Sequence, residues 1–169
     1  MYKERMRKLR DAMSKKGLDA VLLIGDHNRN YLSGFTGNES FSVITTDKAF
    51  FITDSRFTEQ AQQQVKEYEL LEYSKNITFA DFLSELVNKN NIKKLGFEEN
   101  IVSYGTYSLY KSKLNCELLP MEGIVEEIRV VKGESELVLM RKAAEIADKA
   151  FEHMLSFIKP GMTEREVGL

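Results

Sequence analysis

The sequence has very little of the residues that most often build a catalytic or cofactor site. It contains one cysteine, two histidines, two prolines and no tryptophan, and a single cysteine cannot form a disulfide within the chain. The two histidines, His27 and His153, lie in different segments, which excludes a histidine-rich zinc site. The sequence also lacks a P-loop, a Gly-x-Ser-x-Gly elbow and a Gly-x-Gly-x-x-Gly motif after a strand. Few classes of enzyme therefore fit this chain by itself.

An excess of charge of one sign and a long apolar run are also missing. The formal net charge is −2, and 43% of the residues are hydrophobic and 30% charged, as in an ordinary globular protein. A dedicated nucleic-acid binder would need clustered Lys and Arg in excess. The longest apolar run, residues 20–24, is far too short to span a membrane. We therefore expect a cytoplasmic protein that binds neither nucleic acid nor membranes, and the single cysteine is compatible with a reducing cytosol.

Short apolar runs alternate with helical patterns over the first part of the chain. Residues 19–24 are typical of a strand that is covered on both faces, and residues 41–45 and 50–53 of an antiparallel hairpin. Further strands are predicted at 68–73, 94–97 and 116–119, and helices at 2–16, 54–65, 78–88 and 103–114. The sequence therefore predicts an α/β fold, a mixed sheet with an antiparallel hairpin and flanking helices.

After Pro120 the pattern changes. Residues 123–131 indicate a short helix or connector, and a long amphipathic helix follows Gly133. Thr163 and Glu166 then form a capping box, which opens another helix very close to the end of the sequence. A helix this short is unstable without a partner surface. We therefore expect a second, incomplete domain and interpret the chain as the front part of a longer protein.

The segment 25–38 is rich in polar and aromatic residues and is predicted to be a loop. Arg29 offers a planar fork for a carboxylate, while Tyr31, Phe35 and Phe41 offer apolar walls. A surface loop that is held in place by its aromatic residues explains the same composition. The residues alone leave both interpretations open.

Three aspartates raise the alternative of a two-metal nuclease, because such enzymes build their metal sites from carboxylates. They are Asp19, Asp26 and Asp54. Asp19 lies at the start of a predicted strand and Asp54 at the start of a predicted helix, and these positions explain both without a metal. The near-neutral net charge weakens this alternative further.

Several pieces of the chain form a pattern through their order and spacing. They are DAVLL at 19–23, NYLSGFTG at 30–37, ITDSRFTEQA at 52–61, GFE at 96–98, EIRVVK at 127–132, Glu136, MRKAAEIAD at 140–148 and KPGMTE at 159–164. This pattern resembles the N-terminal domain of the Xaa-Pro peptidases (aminopeptidase P and prolidase) and of creatinase. The last four pieces resemble the family's entry into its catalytic domain.

The resemblance implies a ribonuclease-H-like domain at residues 1–121, followed at 122–169 by the linker and opening helices of an incomplete "pita-bread" metallopeptidase domain. In the family, that second domain holds two divalent metal ions, commonly manganese, through two Asp, one His and two Glu. It hydrolyses the peptide bond before a proline. Those ligands would lie beyond residue 169, so the resemblance implies no catalytic residue, metal ligand or cofactor in this chain, which should be inactive alone.

The resemblance also implies that this domain makes homodimer contacts and lends a loop to the rim of the active site, which favours short proline-containing peptides. By position, the candidates for substrate contact are His27, Arg29, Tyr31, Phe35, Phe41 and, more weakly, Arg56. Two alternatives stay open: a non-catalytic peptide-binding or assembly module of the same architecture, and a creatinase-like amidinohydrolase that acts on a small guanidino substrate.

Overall fold

The computed structural model describes residues 1–74, 76–121 and 123–168. The chain divides into two compact units, Met1–Val130 and Val131–Leu169. The helices of the first unit are α1 (Tyr2–Lys16), α2 (Asp26–Ser33), α3 (Thr58–Gln64), α4 (Phe79–Lys89), α5 (Tyr104–Lys113) and α6 (Ile124–Val130). Its strands are β1 (Ala20–Leu23), β2 (Ser40–Thr45), β3 (Ala49–Thr53), β4 (Glu69–Glu72), β5 (Lys94–Phe97) and β6 (Glu117–Pro120).

The strands form one mixed sheet in the order β4-β3-β2-β1-β5-β6. Strand β2 is antiparallel to both of its neighbours, β1 and β3, whereas the pairs β1–β5, β5–β6 and β3–β4 are parallel. All strands except β2 therefore end at the same edge of the sheet, which we call the carboxyl edge. The predicted mixed α/β sheet with an antiparallel hairpin is confirmed.

Strand β1 shows why both faces of the sheet are covered. Its four residues are all buried, and side chains alternate between the faces of a strand. Ala20 and Leu22 join the core beneath α4 and α5, while Val21 and Leu23 join the core beneath α1 and α6. The continuous apolar run at 19–24 predicted this arrangement correctly.

Helix α1 follows its sequence pattern closely. Met6, Leu9 and Met13 recur at helical spacing and are buried. Gly17 ends the helix in the left-handed conformation with φ 65°, and the next amide, that of Leu18, donates to the backbone oxygen of Met13 at 3.0 Å. This is a Schellman-type ending, for which glycine is suited because it has no Cβ.

Two predicted elements near the carboxyl edge were wrong. The segment 25–38 is not a loop throughout, because residues Asp26–Ser33 form α2, which ends at Gly34 with φ 82°. The buried residues of α2 are mostly polar, so the helix has no clear apolar stripe in the sequence. The helix predicted from 54 begins only at Thr58. The Asp54 carboxylate instead accepts from the backbone amide of Arg56 at 2.9 Å and so stabilises a turn.

The second unit contains α7 (Glu134–Phe157) and α8 (Glu164–Gly168). The predicted capping box is present, since the Thr163 hydroxyl accepts from the amide of Glu166 and the Glu166 carboxylate accepts from the amide of Thr163. Glu136 accepts from the amide of Gly133 in the same way at the start of α7. Met140, Phe151 and Leu155, which recur at helical spacing along α7, are exposed. The domain division at residue 121 stays a prediction, and the first compact unit includes α6.

Candidate functional site

A buried carboxylate lies at the carboxyl edge, where β1 and β5 end side by side. Glu98 follows β5 directly and is 5% exposed. It accepts hydrogen bonds from the backbone amides of Ile24 at 2.6 Å and Gly25 at 2.7 Å, and from Nδ2 of Asn28 at 2.7 Å. The first two donors lie just before the start of α2, so the side chain of Glu98, directly after β5, fixes how α2 begins. A negative charge is favourable at this end of a helix.

Asn28 connects Glu98 with α6. Its Nδ2 donates to Glu98 and also to the carboxylate of Glu126 at 2.8 Å, while its Oδ1 accepts from Arg129 at 3.0 Å. Glu126 and Arg129 are three residues apart on α6 and therefore lie on one side of that helix. The amide of Asn28 thus has a suitable partner for each of its polar atoms.

Arg29 is buried at 2% exposure and binds backbone oxygens. Its guanidinium donates to Ile24 O at 3.2 Å, Ser40 O at 2.9 Å and Gly37 O at 2.8 Å, and pairs with the Asp26 carboxylate at 2.8 Å. The ladder between β1 and β2 extends only to the pair Leu23 and Ser42. Arg29 therefore joins the two strands beyond the point where their own pairing stops.

Residues 34–39, which we call the rim segment, contact both the sheet and α3. Phe35 is fully buried, with its ring centroid 4.8 Å from that of Phe51 and 6.3 Å from that of Phe57. The amide of Thr36 donates to Oε1 of Gln64 on α3 at 2.9 Å. Together with the bond from Arg29 to Gly37, these contacts give the rim segment a defined conformation.

Tyr31 contacts α1. The guanidinium of Arg5 lies 3.8 Å from the ring centroid of Tyr31 and donates to its backbone oxygen at 2.6 Å. A cation above an aromatic face is attracted by the electrons of the ring. Tyr31 therefore anchors α2 on α1.

The six candidate residues from the sequence do not share one pocket. Arg29 and Phe35 are close, with the guanidinium 5.9 Å from the ring centroid, but both are buried. Phe41 stacks on Phe79 at 3.7 Å, on the other face of the sheet from Phe35. His27 is exposed on α2. Arg56 is also exposed, and its hydrogen bonds to Asp54 raise its pKa.

Sequence reasoning missed Asn28, Glu98, Glu126 and Arg129 as a group. They lie in three separate segments, and a hydrogen-bond network between such segments has no periodic signal. One signal was present for Glu98, since it is a charged residue directly after a short buried strand, at the edge where α/β proteins commonly place functional side chains.

The three aspartates considered for a nuclease lie apart and have protein partners. Asp19 accepts from the amides of Lys93 and Lys94 at the opposite edge of the sheet. Asp26 pairs with Arg29, and Asp54 with Arg56. Within residues 1–74, 76–121 and 123–168, no group of three or more His, Cys, Asp or Glu side chains is arranged to hold a metal ion. These residues therefore do not fit a two-metal centre.

Among the helices of the described ranges, none combines the length and the apolar character that crossing a membrane requires.

Residues 5–131 match the Creatinase/Prolidase N-terminal domain. The chain belongs to this family. Residues 138–168 match the metallopeptidase family M24, so the second unit corresponds to the start of that domain.

Relatives of this Creatinase/Prolidase-type chain are similar along nearly all of its length. An uncharacterized peptidase, YqhT, of Bacillus subtilis (strain 168) is 41% identical over 161 residues, which is 95% of this chain and 45% of the relative. The Xaa-Pro dipeptidase of Pyrococcus horikoshii is 29% identical over 97% of this chain and 45% of its own length. The chain thus spans less than half the length of these relatives.

A solved structure agrees with this assignment. The Xaa-Pro dipeptidase from Bacillus anthracis superposes with a TM-score of 0.92 at 40% sequence identity, over 99% of this chain and 46% of that chain. The resemblance inferred from the sequence pieces is therefore confirmed, both for the family and for the fold.

Proposed function

We propose that this chain is the accessory N-terminal part of a metal-dependent Xaa-Pro peptidase, which hydrolyses the peptide bond before a proline. The match of residues 138–168 to the start of a metallopeptidase domain supports this most directly. The relatives that carry the name Xaa-Pro dipeptidase are about twice as long as this chain, which agrees with a catalytic part that follows it.

In this proposal the catalytic residues and the ligands of two divalent metal ions, with manganese the expected metal, belong to the part of the protein that follows residue 169. The described residues of this chain provide no metal-binding cluster. We expect the chain alone to be inactive, with a role in access to the active site rather than in the chemical step. The substrates are short proline-containing peptides.

The contribution we assign to this chain is a rim that limits which peptides reach the active site, together with homodimer contacts. His27 and Arg56 are exposed and are our candidates for contact with a substrate or with the partner subunit. Buried Arg29 and Phe35 act indirectly, because they hold the rim segment in place. Tyr31 and Phe41 support α2 and the start of β2.

The cellular setting we propose is the cytoplasm, with neither nucleic acid nor membrane as a partner. The single cysteine and the net charge of −2 agree with this setting.

The test of the proposed function is proline release from an Xaa-Pro dipeptide by the whole protein. Activity is expected with manganese, and it should be lost after treatment with a chelator and recovered when the metal is added back. Creatine serves as the comparison substrate. Hydrolysis of creatine without peptidase activity would favour the amidinohydrolase alternative, and inactivity on both would favour a binding module.

A further inference from the structure

Helix α6 has two different faces within the first unit. Ile124 and Val125 are buried in the core that α1 covers. Glu126 and Arg129 lie on the side that meets Asn28 of α2. After α6 the chain leaves the first unit at Val130. The side-chain amide of Asn28 therefore connects α2, which precedes the rim segment, with α6.

We propose that Asn28 is a positioning residue that couples the rim segment to α6. Its consequence for peptide hydrolysis rests on the proposed function above, whereas the coupling itself concerns only the first unit. The coupling runs from Glu126 to Asn28 through a hydrogen bond, from Asn28 to Arg29 along the backbone of α2, and from Arg29 to Gly37 of the rim segment through a second hydrogen bond.

The chemistry of the site specifies an asparagine. The Nδ2 group faces two carboxylates, those of Glu98 and Glu126, and the Oδ1 atom faces the guanidinium of Arg129. A reversed amide would place an acceptor against the carboxylates and a donor against the guanidinium, so only one orientation satisfies all three partners. Asn28 is 4% exposed, so water cannot readily replace a lost partner.

Glu98 holds α2 at two points. One of its oxygens accepts from the amides of Ile24 and Gly25, and the other accepts from Asn28. A Cβ at Gly25 would lie 3.1 Å from the Glu98 carboxylate, so the backbone approaches this group closely. The Glu98 carboxylate therefore binds both the start of α2 and the side-chain amide of Asn28, so a change at α6 that displaces Asn28 also acts on the group that holds the start of α2.

The first test measures amide hydrogen exchange in the whole protein with Asn28→Ala. Exchange in the rim segment and in α6 is expected to rise at least about fivefold, which corresponds to the loss of a buried hydrogen-bond partner. Exchange in α4, on the other face of the sheet, is expected to stay unchanged. Asn88→Ala is the matched control, since Asn88 is exposed on α4. An equal rise in α4 would overturn the proposal, because Asn28 would then support the whole fold.

The second test is reciprocal, since a coupling between two sites acts in both directions. Glu126→Ala changes a residue of α6, and it is expected to raise amide hydrogen exchange in the rim segment. The double variant Asn28→Ala and Glu126→Ala is expected to have no more effect there than the stronger single variant. A rim segment that does not respond to Glu126→Ala, or effects that simply add, would contradict the coupling.

A kinetic readout of the whole protein separates this inference from the proposed function. Asn28→Ala is expected to raise KM for an Xaa-Pro dipeptide severalfold while kcat stays near that of the native enzyme, whereas Asn88→Ala changes neither. A fall in kcat with unchanged KM would contradict the positioning role. If the native protein has no peptidase activity, the proposed function fails, and the exchange experiments still decide the coupling.

Discussion

The side-chain nitrogen Nδ2 of Asn28 lies 2.7 Å from the carboxylate of Glu98, although the two residues are 70 positions apart in the chain. Both are buried, and Glu98 also accepts from two backbone amides before α2. A buried charge is tolerated when hydrogen bonds satisfy it. This pair therefore fixes where α2 begins on the sheet, and the position of the rim segment depends on it.

Replacing Asn28 by Asp should be more harmful than replacing it by Ala. Asn28→Asp places a carboxylate against those of Glu98 and Glu126, and the single guanidinium of Arg129 faces only one of its oxygens. Like charges at a buried site disfavour the ionised form, so we expect the free energy of unfolding to fall by about 3 kcal/mol. Urea unfolding at pH 7 measures the difference between the two variants.

The pH dependence gives the control for this prediction. The new carboxyl group has a pKa above its ordinary value of about 3.9 in the folded protein, so its protonated form is favoured by folding. The free energy of unfolding of Asn28→Asp is therefore lower than that of Asn28→Ala at neutral pH, and this difference shrinks as the pH falls towards about 4. A deficit that grows on acidification would show that the added charge is accommodated.

Arg29 should not tolerate the change to lysine. Arg29→Lys keeps the charge but loses the planar fork that binds three backbone oxygens, so at least one of these stays unsatisfied. We expect a loss of about 1–3 kcal/mol in the free energy of unfolding, measured with urea. The matched control is Arg7→Lys, since Arg7 is 61% exposed and exposed ion pairs contribute little. Equal losses in the two variants would refute the role assigned to Arg29.

The two helix-ending glycines should differ in their response to alanine. Gly17 and Gly34 both have positive φ, where an L-residue costs about 1–2 kcal/mol. A Cβ at Gly17 meets open space, whereas one at Gly34 would lie 2.6 Å from the hydroxyl of Tyr2. Gly34→Ala must therefore also displace Tyr2 and should lower the melting temperature more than Gly17→Ala. The reverse order would mean that the end of α2 is packed differently.

Cys116 should react slowly with alkylating reagents. Burial raises the pKa of its thiol, so less thiolate is present near neutral pH, and the thiolate is the reactive form. Iodoacetamide should modify the folded protein more slowly than the urea-unfolded protein, and the folded rate should reach its half-maximum at a higher pH. Because the sequence has a single cysteine, the extent of modification is measured as the fraction of residues 1–169 that carries one label. Equal rates in the two states would contradict the assigned burial.

The sequence predicted the parts of the fold that depend on local periodicity. The buried strand β1, the hairpin of β2 and β3, and the capped helix α4 were confirmed, because apolar spacing and capping residues act over a few positions. Thr78, for example, accepts from the amide of Asp81 as the capping pattern predicted.

The candidate site was much less predictable. Helix α2 was missed because its buried residues include Asn28, Arg29 and Ser33, which bind polar groups rather than an apolar core. The partners of Asn28 also lie far along the chain. Arg29 was expected to face a substrate, but a sequence does not show whether a guanidinium binds a ligand carboxylate or the chain's own backbone oxygens.

We propose that this chain supports catalysis without performing it. The most direct test compares residues 1–169 with the whole protein, at equal concentration and with manganese present, for proline release from an Xaa-Pro dipeptide. We predict metal-dependent release by the whole protein only, with metal bound by the whole protein and not by residues 1–169. Release of proline by residues 1–169 alone, or no release by the metal-loaded whole protein, would contradict the account.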